Sequence, residues 1–143
     1  MRNPALDALS PLIGRWTVEL ANAEFLEEGQ TMEGTATVEW LDDAFVVMRS
    51  EMPGGPPRST SVIGRNESRE TYEMLYYDER GVSRIYEMTF DGRSWSLSRA
   101  DPDFHQRFVA ELTDADTIRA RWEKSDGSGP WEHDFDLTYT RMA

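Results

Sequence analysis

Cysteine is absent from the chain, which removes disulfides, thiolate metal sites and any cysteine nucleophile. Lysine occurs once, at Lys124, so Schiff-base chemistry has a single candidate amine and arginine supplies the rest of the 15 basic residues. Histidine occurs twice, at His105 and His133. No apolar run approaches the ~20 residues that cross a bilayer as a helix. The opening Met1-Arg2-Asn3-Pro4 leads into a mixed stretch with Asp7 instead of an apolar leader core, so a cytoplasmic protein is expected. In that compartment the sequon Asn66-Glu67-Ser68 is chemically idle. The Pro53-Gly54-Gly55-Pro56-Pro57 segment lacks phosphate-loop spacing, and no Gly-x-Ser-x-Gly occurs, which argues against a nucleotide cradle and a hydrolase elbow.

Acidic residues are abundant. A net charge of −12 and a pI near 4.5, with acids spread along the whole chain, oppose binding to a phosphate backbone or an anionic membrane. The expected partner is therefore a small molecule, with neither nucleic acid nor membrane. At 143 residues the chain forms one domain, residues 1–143, which can bury roughly 70% of its unfolded surface without metal or disulfide support.

Between Pro4 and Ile13 apolar residues recur every three to four positions, giving one or two helical turns opened by Asn3-Pro4. So short a helix needs something to pack against. After Gly14 the period becomes two: Trp16, Val18 and Leu20 share a face, and Met32 to Trp40 alternates cleanly. Further strands are predicted over Phe45 to Met52, Ser59 to Arg65, Thr71 to Tyr77, Val82 to Phe90 and Arg93 to Arg99. Phe104 to Leu112, Ile118 to Trp122 and Trp131 to Arg141 complete the series. Roughly ten amphipathic strands with short connections predict an all-β antiparallel barrel carrying a short N-terminal helical plug. The strand Phe45 to Met52 has apolar groups on both faces, which suggests a homodimer surface.

Two short signals sharpen this. Gly14-Arg15-Trp16 opens the first strand and Arg141 ends the last; with them the chain resembles the calycin superfamily of lipocalins, fatty-acid-binding proteins and bacterial relatives. In such lipocalin-like barrels the tryptophan closes the base and the terminal arginine packs over it, so Gly14, Trp16 and Arg141 are the implied closure. Over nearly its whole length the chain also resembles an uncharacterised bacterial family of lipocalin-like domains of unknown function. The matching pieces are Leu12-Ile13-Gly14-Arg15-Trp16, Gly34-Thr35-Ala36, Glu39-Trp40-Leu41, Ile63-Gly64, Tyr76-Tyr77-Asp78, Asp126-Gly127 and Tyr139-Thr140-Arg141. The family's Gly-Tyr-Asp is replaced by Gly64-Arg65-Asn66. The resemblance implies a fold and little chemistry.

Strand parity then nominates a site. A two-residue turn at Asp91-Gly92 would set Arg84 opposite Arg99, and a three-residue turn ending at Gly81 would set Tyr76 opposite Arg84. Two guanidinium groups facing each other suit a bound carboxylate or phosphate. Tyr72, Tyr86, Trp95, Phe108 and Trp122 are expected to line a cavity, with Gln106 on the same inward face. His133 is expected to face inward too. It suggests two alternatives, haem ligation as in the calycin-like nitrobindin or a proton-transfer enzyme, with Glu51 as a possible acid–base partner. Asp101, Asp103 and His105 alternate, but Asp-Pro-Asp is ordinary turn chemistry and no metal site is assigned. No catalytic residue or cofactor is assigned either. The leading reading is non-catalytic binding of a small, partly apolar, anionic ligand; a barrel filled solid by side chains, acting as an interaction module, is the third.

Overall fold

The computed structural model describes residues 3–102, 104–127 and 129–142. A helical turn α1 (Pro4–Asp7) and a 3-10 turn (Ser10–Leu12) precede β1 (Gly14–Ala21), β2 (Thr31–Leu41), β3 (Phe45–Glu51), β4 (Ser59–Asn66) and β5 (Thr71–Asp78). Then follow β6 (Ser83–Phe90), β7 (Ser94–Asp101), β8 (Phe104–Asp114), β9 (Thr117–Ser125) and β10 (Glu132–Arg141). Each strand pairs antiparallel with its neighbours in sequence, and β10 pairs with β1, so the sheet closes into a ten-stranded barrel. Short connections between amphipathic strands favour this up-and-down order, and closure leaves no open sheet edge. No helix among the described residues is long and apolar enough to cross a membrane.

The plug forms as its sequence dictates. The Asn3 side chain accepts the Ala5 N–H at 2.9 Å, Pro4 occupies the first turn, and Leu6, Leu9 and Leu12 are at most 1% exposed. Each buried leucine contributes about 1.5–3 kcal/mol of transfer free energy. The Tyr72 hydroxyl ties the plug to the wall by donating to the Ala5 carbonyl at 2.6 Å.

Base closure follows the expected pattern. Trp16 and Arg141 are register partners on β1 and β10, and the guanidinium carbon lies 4.2 Å from the Trp16 ring centroid. Trp16 Nε1 donates to the Leu12 carbonyl at 3.0 Å. Arg141 donates to the carbonyls of Ile13 at 2.7 Å and Pro11 at 2.9 Å, and meets Asp116 at 3.1 Å. Gly14 sits at φ +145°, and a side chain there would occupy the space of that guanidinium.

One expectation about the strands is corrected. The β6–β7 turn centres on Gly92-Arg93, one residue later than Asp91-Gly92, so Phe90 pairs with Trp95 and Met88 with Leu97. The Asp91 carboxylate explains the shift, because it accepts the N–H groups of Arg93 at 2.9 Å and Ser94 at 2.6 Å. Parity survives the slip, whereas the direct pairing of Arg84 with Arg99 does not. On β3, Val46 faces the core at 0% exposure and Val47, on the other face, is only 2% exposed. Phe45, at the same parity as Val47, is 45% exposed. The β5–β6 turn is as expected: Gly81 has φ +80°, Asp78 N–H donates to the Val82 carbonyl at 3.0 Å, and Tyr76 pairs with Arg84.

Candidate functional site

Inside the barrel, beyond the plug, lies a cavity of about 350 Å³. Side chains therefore do not fill the interior completely. Its aromatic wall runs through Trp95, Phe108, Trp122, Tyr86 and Tyr76, with successive ring centroids 4.8, 5.1, 5.6 and 6.3 Å apart. Strand alternation places each of these rings: β5 to β9 present Tyr76, Tyr86, Trp95, Phe108 and Trp122 from inward positions.

Polar chemistry converges on one buried atom. Gln106, 7% exposed, offers its side-chain oxygen to three donors. These are the Tyr86 hydroxyl at 3.0 Å, Arg84 Nη1 at 3.2 Å and Arg99 Nη1 at 3.5 Å. Three donors, two of them charged, exceed the two lone pairs of one amide oxygen. The two arginines thus meet diagonally through Gln106 instead of directly across the strands. Burial pushes the Tyr86 phenol above its ordinary value, opposed by Arg84, so the hydroxyl stays a donor at neutral pH.

The arginines differ in how far the protein satisfies them. Arg99 forms an ion pair with Asp101, two residues along the same strand face. Arg80 is held by Asp78, whose carboxylate is inaccessible to solvent, at 2.8 Å, and the Tyr76 hydroxyl donates to the same carboxylate at 2.7 Å. Burial, then the hydrogen bond to Asp78, raises the Tyr76 phenol far above its usual range. Arg84 lies between the rings of Tyr76 at 5.8 Å and Phe104 at 5.5 Å and has no carboxylate partner among the described residues. It is a cation without an ion pair among those residues, in a mostly apolar wall whose other charged members are Arg80, Glu51 and Asp134.

The expected residues divide as follows. Arg84, Tyr76, Tyr86, Trp95, Gln106, Phe108 and Trp122 all line the cavity. Arg99 touches it through Gln106 while bound to Asp101. Tyr72 is not part of the lining; its hydroxyl is spent on the plug. His133 is the main correction. A bulge between His133 and Phe135 reverses the alternation of β10, so Phe135, Leu137 and Tyr139 face the cavity and His133 stands on the outer wall. There its Nε2 is 2.8 Å from Asp136 Oδ1. The imidazole on which haem ligation and proton transfer depended is therefore outside the barrel. Glu51 is exposed at the end of β3, and no contact among the described residues joins it to His133.

Asp103 lies outside the described residues. Asp101 turns to Arg99, whereas His105 lies against Trp131, ring centroids 6.5 Å apart. No three metal-binding side chains cluster among the described residues. Trp131 falls just before β10, with Arg107 stacked 4.4 Å from its ring. Sequence reasoning missed Asp78, Arg80 and Asp101. The alternation of Arg99 with Asp101 was a usable signal; the inward reach of Arg80 from a turn was not, because turns have no parity.

A closed antiparallel barrel with a sealed base and an arginine-bearing interior is the class defined by this geometry. The chain belongs to the family described as "Protein of unknown function (DUF1579)", which matches residues 4–141. No curated protein matches it. Among solved structures it is similar to Rv2717c from M. tuberculosis, with a TM-score of 0.65, 13% identity and 100% of each chain covered. At that identity the similarity concerns the fold.

Proposed function

We propose that this protein binds a small, partly apolar anion inside its barrel, as a lipocalin-like (calycin) carrier, and does not transform it. The observation that carries this reading is Arg84: a guanidinium in the wall of a cavity of about 350 Å³, beside aromatic rings, with only a shared amide oxygen to neutralise it. A cation held in such surroundings gains most from a ligand that brings the opposite charge, and Arg donates to carboxylate in a two-pronged fork. The cavity lies at the small end of the ~300–1,000 Å³ typical of small-molecule sites and has their composition, mostly apolar with a few convergent polar groups. With net charge −12 the surface repels anions at long range, so selection rests on the interior contacts.

Calorimetric titration with 2-naphthoate tests the reading. Binding to the wild type should weaken roughly 10- to 100-fold in Arg84→Ala, the effect of one lost charged hydrogen-bonding partner. Equal affinity in both proteins would remove the proposal.

A further inference from the structure

Three basic residues surround a position where this acidic chain places a neutral amide. Gln106, 7% exposed and part of the cavity lining, has Arg99 and Lys124 as its register partners on β7 and β9, and Arg84 reaches its oxygen from β6. Two of the three have acids of their own. Arg99 pairs with Asp101, and Lys124 lies 3.9 Å from both Glu24 and Asp134. Arg84 has no such partner among the described residues; at 3.2 Å it meets the Gln106 oxygen, which Tyr86 and Arg99 also claim. A glutamate has the shape of a glutamine and would close the charge balance there. The chain carries 27 acidic residues, and none occupies this position.

An amide oxygen can hold a guanidinium in place but cannot cancel its charge. A carboxylate adds Coulombic attraction and accepts the guanidinium in a two-pronged fork, so it displaces the amide from Arg84, whereas a neutral ligand exchanges one amide-like bond for another. Resting on the binding function proposed above, we infer that Gln106 is the residue that sets the charge selectivity of the cavity. It occupies Arg84 without neutralising it and yields it to the carboxylate of an incoming ligand.

The test compares 2-naphthoate with 2-naphthamide, which differ in charge and hardly in shape, by calorimetric titration. The wild type should favour the naphthoate roughly tenfold. Gln106→Glu keeps the shape and adds a negative charge: naphthoate should weaken roughly 10- to 100-fold while naphthamide changes less than about threefold, so that the preference disappears. A merely structural role for Gln106 would move both compounds together. Should Gln106→Glu fail to fold, Gln106→Met removes the acceptor without adding charge and should keep the wild-type preference. Equal affinity of the wild type for the two compounds, a preference that survives in Gln106→Glu whether or not both compounds weaken, or a preference lost in Gln106→Met overturns the inference and leaves the Arg84 reading standing. If the wild type does not bind naphthoate, or if Arg84→Ala binds it as the wild type does, the binding function itself falls and takes this inference with it.

Discussion

Arg141 and Arg84 are the same residue type stacked on aromatic rings near opposite ends of one barrel, and they do different work. At the base, Arg141 lies 4.2 Å from the Trp16 ring, donates to three backbone carbonyls and pairs with Asp116. Each of its three nitrogens has an acceptor in the protein, so the group locks two strands and the plug together. In the cavity, Arg84 lies between Tyr76 and Phe104, with one hydrogen bond to an amide oxygen it shares with two other donors. What separates structural arginine from candidate binding arginine is the acceptors around it, not its stacking on a ring.

The largest expected effect breaks the base. Trp16→Ala should cost about 3–5 kcal/mol in urea unfolding, because it removes a ring 1% exposed together with the platform for Arg141. Any folded fraction should still bind 2-naphthoate; loss of binding in a fully folded variant would mean the two ends are not separate in function. Next, Arg141→Ala should lower stability by about 2 kcal/mol, from lost hydrogen bonds and ring stacking, whereas Arg84→Ala should change it by no more than about 0.5 kcal/mol and act on affinity instead. Reversal of those two outcomes would invert the comparison. Tyr72→Phe should cost about 1 kcal/mol through the lost bond to the Ala5 carbonyl and leave affinity unchanged.

The smallest effect is one of pH. Hydrogen bonding from Arg80, opposed by burial and aided by Tyr76, holds the Asp78 carboxyl well below its ordinary value of 3.8. A lowered value in the folded state means that Asp78 contributes its full stabilisation above the ordinary carboxylate range and loses it as the pH falls below that range. Urea midpoints at pH 6 and pH 3 should therefore converge more closely in Asp78→Asn than in the wild type.

Much of the interior was legible from alternation. Tyr86, Trp95, Phe108 and Trp122 are inward in sequence and in space, because a strand with one buried face can hide its apolar groups only at period two. The sites that were not legible lie where that period is interrupted. Strict alternation along β10 puts His133 on the face of Tyr139, and one bulged residue reverses it. Tyr72 has the right parity, yet it meets the plug instead of the cavity, because parity gives the face of a strand and not the height along the barrel.

Local pattern alone establishes ten amphipathic strands, a plug and a matched tryptophan–arginine pair, since each depends on residues near one another in sequence or on two conspicuous markers. The pairing of Phe90 with Trp95, the meeting of Arg84 and Arg99 on Gln106, and the exclusion of His133 depend on side-chain hydrogen bonds within a turn and on one bulge. Such features cost or gain only about 1 kcal/mol each. Strand periodicity cannot register them, and they are decided only when the closed barrel makes every register answer to its two neighbours.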